Sequence, residues 1–325
     1  MKTAVSSVSP LAKALIMVRP VDFAYNEQTA VDNRFQHRPE NASLITQQAL
    51  VEFDNMLLNL RAAGIEVLVL EADQQTPALE AIPSPTPDAV FPNNWFSTTV
   101  DGKLIIYPMH TENRRRERRV ADLAKLIDQQ GFFIDQQHWL APAQESQYIL
   151  EGTGAVVIDH RKQHLYATQS ERCHPQQLHN FAKSQNYSDT FLFQTQSPDG
   201  SPIYHTNVMM SIGNTFAVIC AQCFVDQQEY LAVRDSLASD REVIEISYQQ
   251  MEAHFCANIL QLENAAGEPV IVMSKNAYQG FNEQQRAKLE QHGTIVATDI
   301  HTIESVGGGS ARCMIAEIFL PKKGI

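Results

Sequence analysis

Chemistry in this chain starts at Cys313, which closes the stretch Gly307-Gly308-Gly309-Ser310-Ala311-Arg312-Cys313. A run of three glycines supplies unusual backbone angles and lets a ligand approach the main chain closely. Arg312, if turned inward, favours the thiolate, which is the nucleophilic form of cysteine. The apolar run 314–320 predicts a strand that holds the thiol at its start. An unassisted buried cysteine packs as a small hydrophobe, so the case depends on its partners. The other four cysteines offer less. Cys220 and Cys223 form a C-x-x-C, but no second pair completes a zinc ligand set, and Cys173 and Cys256 lack supporting context. No metal is expected.

A cysteine nucleophile needs a base. Among eleven histidines, His205 stands out because Tyr204-His205-Thr206-Asn207 leads directly into the apolar run 208–212. Two residues apart at a strand start, His205 and Asn207 would point to the same face. Glu151-Gly152-Thr153-Gly154 repeats that layout, a lone carboxylate and small residues ahead of the run 155–158. A fourth stretch, Asp88-Ala89-Val90-Phe91-Pro92-Asn93-Asn94-Trp95, joins polar groups to aromatics that a solvent loop seldom carries. A proline-shaped turn packing its rings into the core would have the same look.

The elements that must position these residues recur along the chain. Residues 15–18 read as a strand ended by Arg19-Pro20. Leu50, Phe53, Leu57 and Leu60 recur at helical spacing, Gly64 closes that helix, and 65–70 follows as a buried strand. Beyond a proline-rich loop (Pro83, Pro85, Pro87), strands near 95–99 and 104–107 precede a helix over 114–130. Strand pairs at 155–158 and 164–167, 208–212 and 216–220, and 259–262 and 270–273 are each followed by a helix, at 175–183, 228–237 and 282–292. The last two helices lead into strands at 243–246 and 295–298. A spacing of roughly 50–65 residues is too loose for a solenoid repeat. It predicts one closed α/β body whose strand edges, one per unit, share a central site.

Composition bounds the function. A chain of 325 residues with 44% hydrophobic content can bury a large core without disulfides. A net charge of −12 argues against nucleic acid as a partner. The run Arg114-Arg115-Arg116-Glu117-Arg118-Arg119 is the local exception, and most of it reads as a solvated helix face. No apolar run approaches a membrane span, and the N-terminus shows no signal peptide. Five widely spaced cysteines then predict reduced thiols and a cytoplasmic protein. The expected organisation is a flexible segment 1–12 followed by a single domain over 13–325.

Taken in order, Phe91-Pro92-Asn93-Asn94-Trp95, Leu150-Glu151-Gly152-Thr153-Gly154, Tyr204-His205-Thr206-Asn207-Val208-Met209-Met210-Ser211 and the glycine-rich Cys313 stretch resemble the guanidine-modifying (pentein) superfamily. Arginine deiminases, dimethylarginine hydrolases and amidinotransferases belong to it. The likeness runs over 15–321 and is strongest to the amidinotransferase-like branch that includes bacterial citrulline hydrolases (ureidases). It implies a five-fold pseudo-symmetric α/β propeller, with Cys313 as nucleophile, His205 as general acid/base and Glu151 orienting substrate or His205. It also implies that Arg172, in Ser170-Glu171-Arg172, and Arg114 hold a substrate carboxylate. Asp88 would meet the α-amino group or cap its turn, and Phe91 would line the pocket. No cofactor is implied, the partner is a small amino acid of arginine metabolism, and a homo-oligomer is compatible with the sequence.

Where this chain departs from the arginine deiminases, the departure bears on substrate. Those enzymes carry F-T-R-D, E-G-G-D and H-x-D at the positions of Phe91-Pro92-Asn93-Asn94, Glu151-Gly152-Thr153-Gly154 and His205-Thr206-Asn207. A guanidinium has only N–H donors and a charge, so its site wants carboxylates. A ureido group is neutral and carries an acceptor, which Asn94 and Asn207 suit, whereas buried aspartates against it would cost several kcal/mol each. The expectation is covalent hydrolysis of citrulline to ornithine, ammonia and carbon dioxide. The alternatives are an arginine deiminase or dimethylarginine-type hydrolase, an amidinotransferase and, from another class, a non-catalytic pentein-fold ribosome-binding factor.

Overall fold

The computed structural model describes residues 10–72, 86–141 and 147–324. Most of the expected flexible segment 1–12, and Pro83 and Pro85 of the proline-rich loop, lie outside the described residues. Among the described residues fifteen strands form five three-stranded sheets of one design, an antiparallel pair followed by a parallel third strand. Strands β3 (Phe96–Thr98), β4 (Lys103–Ile106) and β5 (Gln136–Trp139) make one sheet, and β6 (Val156–Asp159), β7 (His164–Thr168) and β8 (Asp189–Phe193) the next. They are followed by β9 (Met210–Ile212), β10 (Phe216–Ile219) and β11 (Glu242–Glu245), then β12 (Leu260–Glu263), β13 (Pro269–Ser274) and β14 (Thr294–Thr298). The fifth sheet joins the chain's two ends: β15 (Ala316–Ile318) pairs antiparallel with β1 (Ala14–Val18), which runs parallel to β2 (Glu66–Leu70).

Each parallel pair needs a crossover, and a helix supplies it. The helix Ile45–Ala62 shows why the sequence makes one: Ile45, Ala49, Phe53, Met56, Leu57 and Leu60 fall on one buried stripe. Burying each large side chain of that stripe contributes roughly 1.5–3 kcal/mol. The first strands of the sheets turn inward, with β15 against β3, β6 against β9 and β9 against β12. This is the expected five-fold α/β propeller, built as a single domain. Among the described residues no helix is long and apolar enough to cross a membrane.

Three local expectations change. The helix expected over 114–130 is two pieces, Glu112–Arg115 and Val120–Gln129, because Glu117 turns inward to meet Arg114. The strands expected at 95–99, 155–158, 208–212 and 314–320 start later, since a helical or tight turn precedes each inner strand. Strands β5 and β8 gave no sequence signal: they are third strands at the rim, and most of their side chains are exposed or half-buried.

Candidate active site

The turns that precede the inner strands all end at the propeller axis. Pro92–Asn94 brings in Asn94, Gly152–Ala155 follows Glu151, and Thr206–Val208 carries Asn207 just after His205. The turn at 311–314 presents Cys313. The fifth unit contributes Asn258, ahead of β12, which the sequence analysis did not single out. Its strand was legible; the polar residue two positions before it was the available signal. His205 and Asn207 therefore converge through a turn of 3-10 helix and not through the alternation of a strand.

Cys313, His205, Asn94, Asp88, Phe91, Arg114 and Arg172 line one enclosed cleft. Each of these side chains is at most 4% exposed. Two amides hold the sulfur: Asn258 Nδ2 lies 3.2 Å and Asn207 Nδ2 3.4 Å from Cys313 Sγ. Burial pushes the Cys313 thiol up, and the two amide donors pull it back toward thiolate. Arg312 does little here. Its guanidinium turns to the Ile315 carbonyl and to Glu317 at 2.9 Å, so its charge is the weakest of the influences on the thiol. Gly308 adopts φ +66°, while Gly307 and Gly309 lie against the Phe91 ring.

Glu151 is fully buried. One oxygen accepts from the His110 backbone N–H at 3.0 Å; the other lies 2.9 Å from His205 Nε2 and 3.2 Å from Arg172 Nη1. Burial alone would raise its pKa, but Arg172, His205 and Arg114 outweigh that and hold it well below the usual carboxylate range. His205 is pushed below its ordinary value by burial, with Glu151 opposing. With Nε2 turned to a carboxylate, Nδ1 lies beside Gly154, where any side chain would collide: a Cβ would sit 2.9 Å from Nδ1 and 2.2 Å from Asn94 Nδ2. The arrangement can accept and return a proton at Nδ1 while Glu151 steadies the charge.

Both arginines expected at the substrate are spent on the protein in this closed form. Arg114 donates to Glu117 through Nε and Nη2, to the Asp88 and Phe91 carbonyls, and to Asn94 Oδ1 at 2.7 Å. Arg172 pairs with Asp32 through Nε and Nη2 and with Glu151 through Nη1. Asp88 accepts from Asn26 at 2.7 Å and Thr29 at 3.0 Å on one oxygen, while the other has no protein partner. Burial raises its pKa against the pull of Arg114. Residues 26–36 thus cover the cleft, tied down through Asp88, through Asp32 and by Asn33 on the Gly308 carbonyl. The free volume of the cleft is about 10 Å³, room for a single water. Cys220 and Cys223 lie far from this chemistry in the apolar core beside Met251.

A five-bladed α/β propeller with cysteine, histidine and glutamate converging on its axis defines a member of the pentein superfamily. Residues 19–320 match the model of the eukaryotic N,N dimethylarginine dimethylhydrolase family, and the chain belongs to that family of hydrolases acting on guanidino C–N bonds. No curated protein matches the sequence. Among solved structures, the N-terminal domain of ArgZ covalently bound to a reaction intermediate is 14% identical, with a TM-score of 0.70 over 95% of this chain and 99% of that one. The same domain bound to substrate, described as an arginine dihydrolase from cyanobacteria, gives 14% and 0.69 over 94% and 97%. An adduct of dimethylarginine dimethylaminohydrolase gives 14% and 0.63 over 95% and 100%. These likenesses establish the fold. They do not single out the ureidase branch that the motifs resemble.

Proposed function

We propose that this protein hydrolyses the terminal C–N bond of a ureido or guanidino amino acid through a covalent adduct on Cys313. The observation that carries the reading is the pair of amide donors on a buried sulfur, in one cleft with a histidine whose Nε2 is held by a carboxylate. In the reaction the Cys313 proton passes to His205 Nδ1 as sulfur bonds to the substrate's central carbon. His205 then protonates the departing amine, and the C–N bond breaks. Water adds to the same carbon, His205 takes its proton, and the C–S bond breaks to return the thiol. Glu151 stabilises the imidazolium at each stage, and proton transfer of the kind His205 performs contributes ~10²–10⁴-fold in rate.

For the reacting group we favour a neutral ureido, and citrulline as substrate. Arg114 occupies Asn94 Oδ1, so Asn94 presents its N–H₂ to the cleft, which suits a substrate carbonyl and not a guanidinium. On this reading water releases a carbamate from sulfur, and its loss of carbon dioxide breaks the second C–N bond, so the products are ornithine, ammonia and carbon dioxide. A second reading is favoured by the family itself: hydrolysis of arginine or a methylated arginine, leaving citrulline. The free oxygen of Asp88 suits the α-ammonium of either substrate. Rates measured on citrulline, arginine and N,N-dimethylarginine separate them. Consumption of either guanidine far faster than citrulline removes the ureido assignment and leaves the covalent mechanism standing.

A further inference from the structure

A second polar pocket, separate from the cleft, reaches the site at Asn207. On the face opposite residues 26–36, the inner strands line a polar passage past Thr153, Ile158, Ser211 and Gln261. Its free volume is about 50 Å³, enough for more than one water. It shares walls at Ile158, His160 and Glu317 with an outer cup of about 690 Å³.

Two buried polar atoms along this passage have no protein partner. One is Ser211 Oγ, on a residue 7% exposed; the other is Asn207 Oδ1, on a residue 2% exposed. Buried polar groups are seldom left so, and when they are, ordered water or a small ligand usually completes them. Asn207 lines the passage, and its other amide atom touches the nucleophile: Nδ2 is 3.4 Å from Cys313 Sγ. One side chain therefore stands between the rear passage and the reacting sulfur.

We propose that this rear passage carries the small neutral species of the reaction, the departing amine outward and the hydrolytic water inward, with Asn207 as the inner polar station. The inference rests on the covalent reading above. Once sulfur has bonded to the substrate carbon, the remainder of the substrate, its amino-acid end toward Asp88, fills the front beneath residues 26–36. The amine and the incoming water then need another path. An opening of this size and polarity passes ammonia, a methylated amine or water, and retains the amino-acid portion.

Ser211 lies on β9 and takes no part in the chemistry, which makes it the position at which to close the passage. Ser211→Leu fills it from one wall and Ile158→Phe from another; Ser211→Ala keeps it open. Each variant is mixed with the substrate the wild type consumes and quenched in acid on the millisecond scale. Released amine and the mass of Cys313 peptides are then measured. For either blocking variant the passage predicts a first-turnover burst of amine within twofold of wild type, a fall of tenfold or more in kcat, and accumulated adduct on Cys313. Ser211→Ala should keep the wild-type kcat. Folded blocking variants with unchanged kcat, or with burst and kcat reduced equally, overturn the passage. A wild type that turns over with no adduct overturns the covalent reading instead. Should Ser211→Leu fail to fold, Ile158→Phe carries the same comparison.

Discussion

Arg114 donates to Asn94 Oδ1 at 2.7 Å, and that single bond decides which end of the Asn94 amide meets the substrate. A guanidinium has no acceptor, so only the oxygen can face it, and Nδ2 is left turned toward Gly154 and the cleft. On the proposed reading Arg114 acts on substrate through Asn94 and not as a free carboxylate clamp. Arg114→Ala would leave Glu117 buried without its counter-ion. We expect it to lose ~3–5 kcal/mol of stability, measured by urea unfolding. Asn94→Asp should shift preference away from citrulline and toward arginine in competition assays.

Asn258 and Asn207 should govern how readily the thiol ionises. A hydrogen bond to a charged group contributes ~1.5–3 kcal/mol, equivalent to about 1–2 pKa units. Asn258→Ala is therefore expected to raise the Cys313 pKa by about that much, read from the pH dependence of alkylation by a neutral reagent. An unchanged alkylation profile would remove Asn258 from the site.

The pH dependence of turnover follows from His205. Burial lowers its pKa below the ordinary value, so the neutral ring that accepts the thiol proton persists well into acid. Activity should therefore fall only at pH below the ordinary histidine range, with no acid loss near neutrality. In Glu151→Gln the carboxylate that raises the His205 pKa is gone, so this limb should move to still lower pH while kcat falls ~10²–10⁴-fold. A limb that stays in place would mean that Glu151 does not act through His205.

Glu151 also links the site to pH-dependent stability. Its folded pKa lies below its unfolded value, so the ionised form stabilises the fold at pH above the unfolded value, near 4.5. That stability is lost as pH falls through and below this value. Acid unfolding followed between pH 5 and 3 should be less steep in Glu151→Gln than in the wild type.

Much of this was legible in the sequence, and the rest was hidden for physical reasons. Short apolar runs revealed the inner and middle strands of most sheets, because those strands are buried on both faces. Strands β5 and β8 were silent because Gln136, Gln137, Asp189 and Thr190 are exposed at the rim. Cys313, His205, Glu151 and Asn94 could be singled out because each stands in a polar motif against an apolar strand. Asn258 has the same placement, but Phe255-Cys256-Ala257 ahead of it reads as core. The burdens on Arg114 and Arg172 come from Glu117 and from Asp32, a residue 140 positions away from Arg172, and such pairings have no local pattern.

The covalent role of Cys313 is tested most directly by mass spectrometry of the intact protein, quenched in acid during turnover of citrulline, arginine or N,N-dimethylarginine. The account predicts a mass increase equal to substrate minus the departed amine, located on the peptide containing Cys313. Cys313→Ala should show neither the increase nor turnover. Turnover retained in Cys313→Ala, or an adduct confined to another residue, would contradict it.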